Sequence, residues 1–125
     1  MAHPGVVFLD DDEDLRELFV DVVALFAERD CLTVGSVDEL VEQRKRVLAA
    51  ELIILDINLG PGLPSGLDAY KWLREQNYGG RVVFLTGHAA SHPLVAEARR
   101  LAGVRVYEKP LPVPTIARLL EREPD

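Results

Sequence analysis

Residues 6–27 read VVFLDDDEDLRELFVDVVALFA, and the change of period within them decides the fold. Val6 to Leu9 is a short, wholly apolar run, the pattern of a strand covered on both faces. From Leu15 the apolar residues recur three and four apart: Leu15, Leu18, Phe19, Val22, Val23 and Phe26 share one stripe, with Glu17, Asp21 and Glu28 on the other side. That stripe needs a sheet to pack on. Between strand and helix stand Asp10, Asp11 and Asp12. Asp12, Glu13 and Asp14 suit the first turn of the helix, where carboxylates favour the positive end of its dipole. Asp10 and Asp11 come earlier, at the strand end.

The same alternation repeats outward along the chain. Further strands are expected at Leu32 to Val34, Leu52 to Leu55, Arg81 to Leu85 and Val104 to Tyr107. A second helix should begin at Ser36, whose spacing to Glu39 is that of a capping box, and run through Leu40, Val41, Val47 and Leu48. A third should run from Gly66 to Gln76, with Ser65 as N-cap, Leu67, Tyr70 and Leu73 inward, and Asn77, Gly79 and Gly80 as the stop. Pro93 opens a fourth through Val95, Ala98 and Leu101 to Gly103. The fifth follows Pro112 or Pro114, turns Val113, Ile116, Ala117 and Leu120 inward, and ends before Pro124. Strands alternating with helices predict an α/β fold: a parallel sheet with helices on both faces, joined by right-handed crossovers.

Length and composition agree. The 125 residues fit one domain, spanning 1–125, and 48% hydrophobic with 28% charged residues is ordinary for a globular chain. No apolar run approaches the roughly 20 residues that cross a bilayer, and MAHPG lacks the features of a signal peptide, so a cytoplasmic protein with no membrane contact is expected. The single Cys31 has no internal disulfide partner and reads as a small core residue. A net charge of −7 opposes direct nucleic-acid binding. His3, His88 and His92 form no metal-ligand pattern.

In open parallel sheets, ligands bind outside the carboxyl ends of the strands. Asp10 and Asp11, Asp56, Thr86-Gly87 and Glu108-Lys109-Pro110 follow the first, third, fourth and fifth predicted strands, so every polar cluster falls at one edge. Adjacent carboxylates facing a third repel one another unless a cation intervenes. Mg²⁺ suits an oxygen site that keeps waters and awaits a phosphoryl oxygen. Asp10, Asp11 and Asp56 supply −3 and Lys109 supplies +1, so a divalent cation brings the sum to zero. Such a site could receive a phosphoryl group, with a carboxylate as nucleophile.

These motifs resemble, over essentially the whole chain, the receiver domain of bacterial response regulators. VVFLDDDEDLRELF resembles the family's first strand, acidic pair and first helix; ELIILDINL its third strand and phosphoacceptor; VVFLTG and YEKP its hydroxyl and lysine segments. The resemblance implies a five-stranded, doubly wound, flavodoxin-like (βα)5 sheet in the order 2-1-3-4-5. It implies Asp56 as phosphoacceptor, Asp11 as a direct Mg²⁺ ligand, Asp10 assisting through water, and the backbone carbonyl of Asn58 completing the metal's protein ligands. Thr86 and Lys109 would each engage a phosphoryl oxygen, and the peptide bond before Pro110 would be cis. The partners implied are a histidine kinase or phosphotransfer protein and a downstream protein target, with the chain a monomer or weak dimer and a signalling module rather than an enzyme.

Three features depart from the family pattern. The segment INLGPGLPSGLDAY after Asp56 makes a loop about two residues longer, either shaping access to the site or merely tolerated at the surface. Val106 stands where the family usually has an aromatic switch, three residues before the lysine, while Tyr107 should point to the opposite sheet face and pack. His88, two residues after Thr86, could tune phosphoryl lifetime or simply be an exposed loop histidine. Two other functions compete. A hydrolase with an Asp nucleophile would usually carry a second Asp where Asn58 stands. A nucleotide-binding module would want a Gly-rich loop after the first strand, where DDDED repels phosphate.

Overall fold

The computed structural model describes residues 5–27, 29–88, 91–101 and 103–121; Glu28, His3 and Pro124 lie outside the described residues. The elements, in order, are β1 (Val6–Leu9), α1 (Glu13–Ala27), β2 (Cys31–Val34), α2 (Val37–Glu42), α3 (Arg44–Leu48), β3 (Leu52–Asp56), α4 (Gly66–Glu75), β4 (Arg81–Thr86), α5 (Pro93–Arg99), β5 (Arg105–Glu108) and α6 (Val113–Leu120). The five strands form one parallel sheet in the order β2-β1-β3-β4-β5, as expected. β1 and β3 are buried throughout because neighbours pair with them on both edges and helices cover both faces.

Strand alternation divides the core into two layers. On one face Val7, Leu9, Ile53, Leu55 and Phe84 pack under α2 to α5, contributing Leu40, Val47, Leu67, Leu73, Val95 and Ala98. On the other Val6, Phe8, Leu52, Ile54, Val83 and Leu85 pack against Phe19, Val22 and Val23 of α1 and Ile116, Leu119 and Leu120 of α6. Phe8 and Phe19 stack with ring centroids 4.1 Å apart, fixing α1 over the centre of the sheet. Val106 packs with the first layer and Tyr107 with the second, the opposite orientations expected of strand neighbours.

Several expectations need correction. The second helix is two: Gln43, with φ −94° and ψ 25°, leaves helical geometry and re-aims the chain, so Val37 and Leu40 are buried from α2, Val47 from α3, and Val41 is exposed. Ser36 Oγ accepts from the Glu39 N–H as a cap should, but the Glu39 carboxylate turns to the Gly35 N–H at 3.1 Å instead of closing the box. The full box occurs at Ser65 and Asp68. The buried stripe of α1 is narrower than its apolar pattern: Leu18 and Phe26 are about half exposed, while Phe19, Val22 and Val23 are buried. Val113 is likewise exposed at the start of α6, and Leu119 takes the inward place. β5 begins one residue later than expected, at Arg105. Cys31 is only partly buried, and that burial pushes its thiol up to about 12, which disfavours the thiolate. Among the described residues no helix is long and apolar enough to cross a membrane.

Candidate functional site

The register of the sheet brings the polar strand ends together. Leu9 pairs with Leu55, so Asp10 and Asp56 leave adjacent strands at the same level, and Thr86 pairs with Glu108 one strand further. The Lys109 N–H donates to the Thr86 carbonyl at 2.8 Å, carrying the lysine to the same edge. The Lys109–Pro110 peptide is cis, as the resemblance implied.

Asp10 is fully buried. Its Oδ1 accepts from the Asp12 N–H at 2.9 Å, and its Oδ2 lies 2.7 Å from Lys109 Nζ. That contact is an ion pair without hydrogen-bond geometry, so Oδ2 is buried with its hydrogen-bonding capacity unmet. Asp56 is 3% exposed and its Oδ2 lies 3.3 Å from the same ammonium. Asp11 is exposed beside them, and one carboxylate oxygen from each of Asp10, Asp11 and Asp56 falls within 4.8 Å of the others. Asp12 takes the helix-start role expected of it, accepting from the N–H groups of Asp14 and Leu15.

Burial, reinforced by the charge of Asp10, pushes the Asp56 carboxyl up to about 7 against the opposing pull of Lys109. Burial lowers the Lys109 ammonium, but the close Asp10 carboxylate and the charge of Asp56 outweigh that, and its pKa is raised. One ammonium therefore serves carboxylates it does not fully neutralise. The donor set is hard oxygen with an unsatisfied buried carboxylate oxygen in it, and this fits Mg²⁺.

The other expected residues sit around this cluster with differing engagement. Thr86 is buried; its hydroxyl accepts from the His88 N–H at 2.9 Å and lies 3.5 Å from the His88 carbonyl, the outer limit of a hydrogen bond. Asn58 Oδ1 accepts from the Gly60 N–H at 3.1 Å, and no N–H among the described residues donates to its carbonyl. His88 is exposed, with its ring against that of His92 at 4.9 Å, and among the described residues it makes no contact with the carboxylates. The long loop is built rather than loose: Asn58 turns it, Gly60 and Gly62 take positive φ, and the Gly66 N–H closes it on the Ile57 carbonyl at 2.9 Å.

Two residues escaped the reading of the sequence. Gly66 looked like a helix start, yet a Cβ there would lie 2.2 Å from the Asp56 carbonyl oxygen, so only glycine lets α4 approach the end of β3. Gly66→Ala should destabilise the protein by about 2–3 kcal/mol, and thermal melting beside a Gly79→Ala control, which meets open space, checks it. The second is Arg16, whose Nη1 donates to the Asp10 carbonyl at 2.7 Å. Its position six residues after Asp10, in the first turns of α1, was the available signal.

Residues 6–121 match the family model described as the response regulator receiver domain. No curated protein matches the chain significantly. Among solved structures, the signal receiver domain of a putative Luxo repressor protein from Vibrio parahaemolyticus aligns with a TM-score of 0.77 at 23% identity, covering 94% of this chain and 87% of that one. The chemotaxis protein CheY4 of Vibrio cholerae aligns at 0.76 and 21%, covering 95% and 97%. The receiver domain of NtrX from Brucella abortus aligns at 0.73 and 23%, covering 92% of each. At these identities the structures speak for the fold alone, whereas the family model spans nearly the entire described chain and takes in every strand-end cluster. The chain therefore belongs to the response regulator receiver domain family.

Proposed function

We propose that the chain receives a phosphoryl group on Asp56 from the phosphohistidine of a histidine kinase or phosphotransfer protein in the cytoplasm. Membership of the receiver family supports a phosphoacceptor role in two-component signalling. The observation that carries the assignment to Asp56 is its place: a buried carboxylate on a central strand, flanked by one ammonium and two further carboxylates. In the transfer, an Asp56 carboxylate oxygen attacks phosphorus, the P–N bond to the donor imidazole breaks with its electron pair leaving on nitrogen, and an acyl phosphate forms. Lys109 would hold one phosphoryl oxygen, and the Thr86 hydroxyl another by swinging its proton from the long His88 contact.

Asp10, Asp11, Asp56 and the Asn58 carbonyl would hold Mg²⁺, which when bound neutralises charge on the phosphoryl oxygens. Phosphorylation would then change the surface around α5, β5 and α6 that a downstream protein reads, with the chain a monomer or weak dimer. Since Val106 lacks an aromatic ring, a rotating ring at that position has no part in this readout. His88, two residues after Thr86, would tune phosphoryl lifetime.

Incubation with Mg²⁺ and a small acyl phosphate should add the mass of one phosphoryl group, removable by hydroxylamine and absent when the metal is chelated. Labelling on any residue other than Asp56, located by peptide mapping, would sink the assignment.

A further inference from the structure

We infer that Arg16 is a positioning residue for the cation-binding carboxylates: its guanidinium holds the Asp10 carbonyl and so sets the peptide from which the Asp10 and Asp11 side chains depart. The inference rests on the reading of Asp10, Asp11 and Asp56 as cation ligands. Asp10 occupies the gap between strand and helix. Its N–H still follows the sheet, donating to the Val34 carbonyl at 3.1 Å, but its carbonyl precedes the first helical bond, which runs from the Arg16 N–H to the Asp12 carbonyl. Neither backbone ladder can satisfy the Asp10 carbonyl. Arg16 does so with a charge-assisted bond of 2.7 Å, reaching back towards the helix N-terminus as helical side chains do.

The guanidinium is itself held. Arg16 is half-buried as a residue, its Nη1 lies beside Gly35, where a Cβ would come within 3.1 Å of it, and the Gly35 N–H is in turn held by Glu39. The connection after β2 thus closes over the arginine. Asp11 depends on this arrangement most: among the described residues its carboxylate has no hydrogen bond or ion pair, so its place beside Asp10 and Asp56 follows from the backbone that carries it. Electrostatics alone would set Arg16 against the cation, because its charge repels a second one nearby.

That opposition separates the explanations. Calorimetric titration of the full chain with Mg²⁺ should show about tenfold weaker binding for both Arg16→Lys, which keeps the charge, and Arg16→Met, which removes it. In phosphoryl uptake from the acyl phosphate, the Mg²⁺ concentration at half-maximal rate should rise while the rate at saturating Mg²⁺ stays near that of the unaltered chain. Arg16→Lys carries the test if Arg16→Met melts below the assay temperature. Mg²⁺ affinity unchanged in the folded lysine variant, whatever its melting temperature, overturns the inference; tighter binding by Arg16→Met with no change for Arg16→Lys assigns a purely electrostatic role and overturns it too. If the unaltered chain binds no Mg²⁺, the cation reading falls and the inference with it.

Discussion

Asp56→Asn is expected to abolish phosphoryl uptake and, in the absence of Mg²⁺, to make the folded protein more stable near pH 8. Both effects follow from removing one carboxylate: the first from losing the nucleophile, the second from losing its ionisation. Asp56 has a native pKa raised to about 7, burial being the largest reason and the Asp10 charge the next. The native state consequently binds more protons than the unfolded state from about pH 4 up to about pH 7, so its stability falls as pH rises across that window. The favourable contribution is complete below the unfolded pKa and gone above the native one. A shift of this size corresponds to on the order of 2–4 kcal/mol. Asparagine does not ionise, so the variant should lose most of this slope. Melting temperatures of both chains between pH 5 and pH 8 in chelator check it: their difference should widen towards pH 8 and shrink on adding Mg²⁺ to the unaltered chain. Parallel pH profiles would refute the account of Asp56 as a strained carboxylate.

Lys109→Met should act in the opposite direction. It removes the ammonium 2.7 Å from a fully buried Asp10 carboxylate and 3.3 Å from Asp56, leaving two carboxylates facing each other in the protein interior. Breaking a buried pair from one side costs about 3–5 kcal/mol, because the abandoned charge stays desolvated. Lys109 is 24% exposed, which places the expected loss towards the lower figure. Adding Asp10→Asn to Lys109→Met should recover most of it, and so should Mg²⁺ added to the single variant. Urea unfolding of the two single variants and the double variant forms a cycle; additive losses would mean that Lys109 and Asp10 do not depend on each other. Phosphoryl uptake should fall steeply in Lys109→Met even where Mg²⁺ restores folding, since the lysine also faces the incoming phosphoryl oxygens in the proposed mechanism.

The elements most legible in the sequence were those in which one signal dominates. Four-residue apolar runs bounded by acidic or glycine-rich turns could hardly be anything but buried strands, and β1, β3 and β4 lie where those runs are. Caps were legible too, because Ser36 and Ser65 act on backbone groups only three residues away. Helix faces were less so. Leu18 and Phe26 are apolar at helical spacing yet exposed, since a helix on a sheet buries only the residues beneath it, and the sequence carries no record of how far the neighbouring element reaches. The break at Gln43 was hidden for a similar reason: the backbone ladder nearly continues, with the Gln43 N–H on Glu39 and the Val47 N–H on Gln43, while one changed ψ redirects the second half.

By itself, then, the sequence determined the order of strands and helices, the gathering of polar residues at the strand ends and the family to which the pattern points, all of which follow from local periodicity and from the parallel connections that periodicity demands. Tertiary structure alone decided how the acidic cluster is charged and held. The single ammonium shared by Asp10 and Asp56, the buried oxygen of Asp10 left without a hydrogen bond, the contact of Gly66 with the Asp56 carbonyl and the reach of Arg16 to Asp10 depend on distances between backbones. Charge interactions change steeply with separation and burial, neither of which is written in the spacing of residues along a chain.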